Sequence, residues 1–204
     1  MANSISFIYR NNFIYELFIR IVYGKLYNNR YRKIGELIPS NISVLDICCG
    51  DCKLYESELK NRVKYTGIDI NHMFLKTATK KGIDVKRLDI RYEDIPKSDY
   101  LILQASLYQF IPNHKDIVDK MIRAAGNKVI ISETVANLSS SKLPLIAYIA
   151  KYSANPGTGH TTQRFTSKTF KEFIKNNYSE LLEDCFLHSS GKELLVVLNA
   201  KNKP

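Results

Sequence analysis

A pair of cysteines separated by two residues follows an apolar run. Cys49-Gly50-Asp51-Cys52 comes shortly after Val44-Leu45-Asp46-Ile47. A Cys-x-x-Cys pair at the start of a helix can perform thiol–disulfide exchange, because the helix dipole lowers the pKa of the exposed first thiol. The same stretch is also typical of a nucleotide-binding loop, since a glycine lets backbone N–H groups approach a ligand closely.

The cysteines do not have the spacing of a metal site or of a disulfide framework. Cys48, Cys49 and Cys52 are crowded together, and the fourth cysteine is Cys185. There is no second Cys-x-x-Cys, and the nearest histidine, His72, belongs to another predicted element. We therefore predict no metal site, and the crowding favours a reducing, cytoplasmic environment.

Acidic residues stand within or at the end of three successive apolar runs. Asp46 lies inside the first run, where a buried carboxylate is costly without a hydrogen-bonding or charged partner. Asp69 ends the second run, a placement that accepts both hydroxyls of a ribose. Asp89 is followed by Ile90, so a carboxylate suited to an exocyclic amine stands beside an apolar side chain suited to a flat base. The three runs predict a nucleotide site at the ends of successive strands.

These residues need an alternating arrangement of strands and helices to bring them together. Strands are predicted at Ser43–Ile47, Lys64–Asp69, Val85–Ile90, Tyr100–Leu103 and Lys128–Ser132. Helical patterns at Lys53–Lys60, Asn71–Lys80 and Asn113–Ala125 separate most of them. The alternation predicts a parallel sheet with helices on both faces.

The remainder of the chain departs from this alternation. An apolar helix is predicted at Leu143–Ser153, a Pro/Gly loop at Asn155–His160, and a second helix at Ser167–Asn176 with Ser167 as its N-cap. The final runs, Leu181–His188 and Glu193–Ala200, predict an antiparallel hairpin at the sheet edge.

Length and charge limit the classes of protein to which the chain can belong. The chain has 204 residues, of which 45% are hydrophobic, enough for one sizeable core. Arg10, Glu16 and Arg20 interrupt the apolar first segment, which predicts neither a signal peptide nor a membrane span. The positive charge is concentrated: residues 1–40 hold six basic and two acidic residues, and residues 139–175 hold six basic residues and one acidic residue.

Three motifs resemble those of a known family. Val44–Leu54, Gly67–Asp69 and Leu88–Ile90 look like the first three motifs of class I S-adenosylmethionine-dependent methyltransferases. In that family the loop usually has Gly at the places of Cys48 and Cys52. The resemblance implies an α/β fold with a Rossmann-like, doubly wound seven-stranded sheet. This sheet would be mostly parallel with an antiparallel last strand, and helices would cover both faces.

The resemblance also implies a cofactor, S-adenosylmethionine, with S-adenosylhomocysteine as its product. Asp46 would hold the methionine amino group, Gly50 the methionine moiety, Asp69 the ribose, and Asp89 with Ile90 the adenine. The implied cofactor-binding residues are Asp46, Cys48, Cys49, Gly50, Asp69, Ile70, Asp89, Ile90 and Gln104.

We expect one methyltransferase domain with appendages. Residues 1–40 would form an N-terminal helical cap, and residues 41–133 the cofactor-binding core. Residues 134–166 would be an insert or lid, and residues 167–204 the C-terminal helix and edge hairpin.

The expected acceptor is a small anionic molecule, with O-methylation favoured. Segment Ser106–Pro112 resembles family members that act on small molecules, and the signatures of the family's nucleic-acid enzymes are missing, so nucleic acid is not an expected partner. The basic cap and insert would attract an anion. His160 and Tyr108 are the predicted catalytic residues, and Gln109 and Arg164 the predicted acceptor-binding residues.

Other interpretations stay open beside the enzyme. The protein could bind S-adenosylmethionine or S-adenosylhomocysteine without catalysis, or it could be a thiol–disulfide redox protein that uses Cys49 and Cys52. The aromatic and basic stretch Phe7–Lys33 is also compatible with peripheral contact to an acidic membrane surface.

Overall fold

A seven-stranded sheet forms the centre of the molecule. The computed structural model describes residues 27–135 and 163–202, together with the single positions Arg20 and Gly24. The strands are β1 (Ser43–Ile47), β2 (Lys64–Asp69), β3 (Val85–Arg87), β4 (Ser98–Gln104), β5 (Ala125–Thr134), β6 (Leu182–His188) and β7 (Glu193–Asn199). Their order across the sheet is β3-β2-β1-β4-β5-β7-β6.

The sheet is mixed in the predicted way. β1 pairs in parallel with β2 and β4, and the pairs β2–β3 and β4–β5 are also parallel. β7 lies antiparallel between β5 and β6. The predicted fold class is therefore confirmed, and the carboxyl ends of β1, β2, β4, β5 and β6 lie at one edge, beside the first residue of β7.

Four α-helices of at least nine residues accompany the sheet in the described part of the chain. They are α1 (Tyr27–Glu36), α2 (His72–Lys80), α3 (His114–Ala124) and α4 (Ser167–Tyr178). None of these helices is long and apolar enough to cross a membrane. A π-helical turn at Tyr55–Leu59 and a short 3₁₀ helix at Leu107–Phe110 follow β1 and β4.

Alternating strand residues bury the two faces of the sheet in separate clusters. Leu45 and Leu103 belong to a cluster that α3 and α4 cover. Val44 and Ile102 belong to a second cluster, to which α1 contributes Tyr27, Tyr31 and Ile34. Both faces are apolar because each is covered by helices, as in other doubly wound sheets.

Several local predictions were wrong in detail. The predicted strand Val85–Ile90 ends at Arg87, because Tyr92 and Glu93 N–H groups bond to the Asp89 carbonyl and form a turn. The predicted helix Lys53–Lys60 contains the π-helical turn. The N-cap of α4 is Thr166 rather than Ser167, since the Thr166 hydroxyl accepts a hydrogen bond from Thr169 N at 3.1 Å.

Several predicted features lie outside the described residues. They are most of the N-terminal cap, helix Leu143–Ser153, loop Asn155–His160 and the membrane-contact stretch before Tyr27.

Candidate functional site

A cavity opens at the carboxyl edge of the sheet. It contains about 1060 Å³ of empty space, part of it open to solvent. Its walls come from the ends of β1, β2 and β4, from the segment after β3, and from α1. All nine predicted cofactor-binding residues line this cavity, and so does Gln109.

The loop after β1 is built from alternating left-handed residues. The φ angles of Cys48, Gly50 and Cys52 are 55°, 54° and 58°. A residue with a Cβ costs about 1–2 kcal/mol in this region, which explains why glycine suits these places. A Cβ on Gly50 would meet no atom within 4 Å, so the backbone conformation and not space favours glycine there.

The side chain of Cys52 does not enter the cavity. It is fully buried and belongs to the apolar cluster under α1, whereas Cys48 and Cys49 line the cavity. The backbone N–H of Cys52 bonds to the Cys49 carbonyl at 2.9 Å, which closes the turn. Cysteine in place of the family's glycine therefore leaves the cavity open.

Asp46 is a buried carboxylate at the end of β1. It is 4% exposed, and its Oδ2 accepts a hydrogen bond from the Tyr65 hydroxyl at 2.9 Å. Burial raises the pKa of Asp46 to about 7; the charges of Asp69 and Asp51 add to this rise, and the Tyr65 hydrogen bond opposes it. A cationic ligand beside Asp46 would lower that pKa again.

Asp69 connects the loop after β1 to the start of α2. Its Oδ2 accepts from Gly50 N at 2.9 Å, and its Oδ1 accepts from Asn71 N at 2.8 Å. Asn71 in turn caps α2, since its side chain accepts from Met73 N at 3.0 Å. Burial raises the pKa of Asp69, and the backbone N–H groups of Asn71, Gly50 and Ile70 oppose that rise. These bonds fix the carboxylate at the cavity wall.

Asp89 forms an ion pair that sequence reasoning missed. Arg91 donates from Nε to Asp89 Oδ1 at 2.8 Å and from Nη2 to Oδ2. The Arg91 side chain lowers the pKa of Asp89 below its ordinary value. Lys120 donates to the carbonyls of Ile90 and Glu93, which holds this segment against α3. Both Asp89 and Arg91 line the cavity.

Gln104, the last residue of β4, presents a buried amide to the cavity. Its Nε2 is inaccessible to solvent and has no hydrogen-bond partner among the described residues. A buried donor left without a partner costs about 1–3 kcal/mol, so such a group at a cavity wall is typical of a ligand contact.

Tyr108 and Arg164 meet outside the cavity wall. The Arg164 guanidinium carbon lies 3.5 Å from the centre of the Tyr108 ring. Tyr108 is 3% exposed, and neither residue lines the cavity formed by the described residues. The catalytic role of Tyr108 and the acceptor role of Arg164 stay predictions, as does the role of His160, which lies outside the described residues.

A buried glutamate at the end of β5 holds the segment that contains Tyr108. Glu133 Oε2 accepts from Leu107 N at 2.9 Å and from Tyr108 N at 3.3 Å, and Oε1 accepts from Thr134 N at 3.1 Å. Burial raises the pKa of Glu133 to about 7, and the charge of Arg164 opposes that rise. Sequence reasoning missed this role, because a Glu at a strand end gives no local signal of what it caps.

Arg30 is a second residue that sequence reasoning missed. It is 4% exposed, lines the cavity, and forms an ion pair with the fully buried Glu193. A signal was present in the sequence: Arg30 shares the apolar face of α1 with Tyr27, Tyr31 and Ile34 at helical spacing.

The environment of the Cys49 thiol disfavours a redox role. Contact with the Cys52 thiol, together with burial, raises the pKa of the Cys49 thiol well above its ordinary value. Because the thiolate is the attacking species, this environment disfavours exchange. In the described part of the chain, no group of three or more His, Cys, Asp or Glu side chains is placed to hold a metal ion.

The cavity residues fit S-adenosylmethionine by the chemistry of their donor and acceptor groups. Asp46, Asp69 and Asp89 supply acceptors for an ammonium group, ribose hydroxyls and an exocyclic amine. The amide of Gln104 supplies a donor, and Ile90 supplies apolar surface.

The fold is shared with solved methyltransferases. An O-methyltransferase family 2 protein from Planctomyces limnophilus, in complex with apigenin, is 14% identical with a TM-score of 0.59, and the match covers 91% of this chain and 61% of that one. Human N-acetylserotonin methyltransferase in complex with SAM is 16% identical with a TM-score of 0.62, covering 94% and 57%. Magnesium protoporphyrin IX methyltransferase from Synechocystis with bound SAH is 15% identical with a TM-score of 0.56, covering 91% and 82%.

This chain spans about three fifths of the length of the first two of these proteins. At these identities, the likeness shows the class I methyltransferase fold. None of the curated proteins compared with the sequence matches it significantly. A family model described as methionine biosynthesis protein MetW matches residues 28–174, which is most of the chain. The protein therefore belongs to the MetW family and has the class I methyltransferase fold.

Proposed function

We propose that this protein transfers a methyl group from S-adenosylmethionine to a small anionic molecule, with a hydroxyl oxygen as the favoured acceptor. The observation that carries the proposal is the convergence of Asp46, Asp69 and Asp89 with Gly50 on one cavity. Three carboxylates at or just after the ends of successive strands match the ammonium, the ribose hydroxyls and the exocyclic amine of this cofactor. The SAM and SAH bound to the human and Synechocystis proteins support the assignment.

When bound, the cofactor supplies an electrophilic methyl group. The contribution of the protein is then to hold the acceptor in line with that group, and positioning of this kind can lower a barrier by about 7–11 kcal/mol. His160 is our candidate for the base that takes the hydroxyl proton, because the ordinary pKa of histidine suits this task at neutral pH.

The proposed acceptor end of the cavity lies beside the 3₁₀ helix after β4. Gln109 and Phe110 line it, and Glu133 holds the backbone of this segment from beneath. Arg164, stacked on Tyr108, brings a cation to the same segment. With the basic residues of the two outer segments, this charge favours an anionic acceptor.

Cofactor binding is the first test. Titration calorimetry with S-adenosylhomocysteine should detect binding to the wild type, and Asp69→Ala should weaken it by about 1–3 kcal/mol through loss of charge-assisted hydrogen bonds. Asp94→Ala is the matched control, since Asp94 is exposed and does not line the cavity. No detectable binding to the wild type at millimolar ligand would refute the proposal.

Transfer is the second test. The protein is incubated with methyl-labelled S-adenosylmethionine and a metabolite extract, and labelled products are identified by mass spectrometry. Binding without any labelled product would favour the non-catalytic interpretation.

Once an acceptor is identified, steady-state kinetics test the two predicted roles: Arg164→Ala should mainly raise the KM for the acceptor, and His160→Ala should mainly lower kcat. Lys168→Ala is the control for Arg164, because Lys168 is 84% exposed. A neutral acceptor with salt-independent kinetics would contradict the anionic class.

A further inference from the structure

A series of buried polar side chains connects the cavity to the C-terminal hairpin. Arg30 Nη2 lies 2.7 Å from Glu193 Oε1, and the two side chains are 4% and 0% exposed. Glu193 Oε2 accepts from Ser132 Oγ at 3.4 Å and lies 3.4 Å from His188 Nε2. Ser132 Oγ and His188 Nε2 are 2.9 Å apart. The series therefore joins α1 to the ends of β5 and β6 and to the start of β7.

A buried ion pair contributes little net free energy to the stability of the fold. Removing a guanidinium and a carboxylate from water costs several kcal/mol per ion, and apolar residues of similar volume are often as stable. Glu193 nevertheless faces Arg30 from the far end of the chain, with Ser132 and His188 beside it. The pair keeps a charged guanidinium at a fixed place in the cavity wall.

The position of Arg30 in that wall points to an anionic group. Arg30 lines the cavity together with Asp46 and Gly50, the residues assigned to the amino-acid end of the cofactor. That end carries an ammonium and a carboxylate on one carbon. Asp46 provides a negative charge for the ammonium, and a guanidinium has five N–H donors in a planar fork that matches a carboxylate.

We propose that Arg30 binds the carboxylate of the cofactor's amino-acid group and that Glu193, from the C-terminal hairpin, is the positioning residue that holds Arg30 there. The proposal rests on the proposed function, since it takes S-adenosylmethionine as the ligand. It makes the hairpin part of the cofactor site, although the hairpin acts through Arg30 and does not itself contact the ligand. Lys53 also lines the cavity, but it is only half-buried.

Three ligands distinguish the contribution of the carboxylate to binding from that of the rest of the cofactor. S-adenosylhomocysteine has the complete amino-acid group, decarboxylated S-adenosylmethionine lacks only the carboxylate of the cofactor, and methylthioadenosine lacks the whole group. Calorimetry should show that Arg30→Gln weakens S-adenosylhomocysteine by about tenfold to hundredfold. The same substitution should change the other two affinities by less than about threefold. Lys53→Gln, the matched control, should weaken S-adenosylhomocysteine less than Arg30→Gln does.

The outcomes distinguish this inference from the proposed function. Failure of the wild type to bind any of the three ligands would refute the proposed function itself. If the wild type binds them and Arg30→Gln weakens all three equally, or none, the carboxylate assignment is overturned and the cofactor assignment stands.

The positioning role of Glu193 has a separate readout. In Glu193→Gln the guanidinium loses the buried carboxylate that holds it at the cavity wall, so its contact with the ligand carboxylate weakens. S-adenosylhomocysteine should therefore raise the Tm of Glu193→Gln less than that of the wild type, with an expected deficit of about 2–4 °C. Methylthioadenosine should raise the two Tm values equally. Equal shifts in the two proteins would reduce Glu193 to a structural role, and the Arg30→Gln series tests the carboxylate contact even if Glu193→Gln does not fold.

Discussion

Asp46 should make cofactor binding depend on pH near neutrality. Its pKa in the free protein is about 7, because burial in the end of β1 disfavours the charged form and the neighbouring carboxylates of Asp69 and Asp51 disfavour it further. The cofactor ammonium needs the ionised carboxylate. Below pH 7, binding must therefore displace a proton from Asp46, and the affinity falls as the pH is lowered.

The magnitude follows from this pKa. If the bound form stays ionised throughout, the fraction of free protein with ionised Asp46 sets the affinity. Between about pH 7.5 and about pH 5.5, the dissociation constant should rise by about 25-fold, which corresponds to roughly 1.9 kcal/mol. The amino group of S-adenosylhomocysteine belongs to a free α-amino acid, and the adjacent carboxylate keeps its pKa above that of a peptide N-terminus, so the ligand stays cationic across this window.

The assay is calorimetry with S-adenosylhomocysteine in buffers of different ionisation enthalpy. At the low end of the window, about one proton should be released for each ligand bound. Asp46→Asn keeps the shape of the side chain and should bind weakly with a flat pH profile. Glu133→Gln should keep the wild-type slope, because Glu133 titrates in the same range but does not line the cavity. A dissociation constant that is constant across the window, without proton release, would refute the reasoning.

Three further predictions concern residues around this site. Cys52→Gly should change the S-adenosylhomocysteine dissociation constant by less than about twofold in calorimetry, because its side chain lies outside the cavity; a large gain in affinity would show crowding. Cys49→Ser should keep cofactor binding, and an insulin assay should detect no reductase activity in the wild type; activity that disappears in Cys49→Ser would support the redox interpretation. Relative to Glu133→Gln, the free energy of unfolding of the wild type should fall as the pH rises from 4.5 to about 7, because folding raises the pKa of Glu133 over that interval and the unfolded chain loses the proton first. Urea unfolding of both proteins at several pH values measures this difference. A free energy of unfolding that depends on pH equally in the wild type and in Glu133→Gln would contradict the assignment.

The agreement between sequence and structure is closest where local pattern determines the element. β1 and β2 have the predicted bounds, since each is a short, mainly apolar run that begins at a polar residue. β5 begins at Ala125 rather than Lys128 because α3 ends at Ala124 and the chain continues directly into the strand. Gly126 and Asn127, which usually indicate a turn, lie inside this strand, and the local pattern therefore predicted too late a start.

The sequence by itself determined the sheet and the set of acidic residues at its edge. Asp46, Asp69 and Asp89 follow apolar runs that helices separate, and parallel strands joined in this way have their carboxyl ends at one edge. That rule places the three carboxylates at the same edge of the sheet. The same local pattern gave Gly50 its place in the loop.

Only the tertiary structure decided which other side chains reach that edge. Arg30 and Glu193 are far apart in the sequence. They meet because α1 packs on the sheet face to which β7 contributes Leu195 and Val197. The Cys52 side chain turns into the core under α1 and away from the cavity, which follows from its left-handed backbone and from the cluster that receives it. Such directions depend on contacts between elements distant in sequence, and a local pattern of residues contains no information about them.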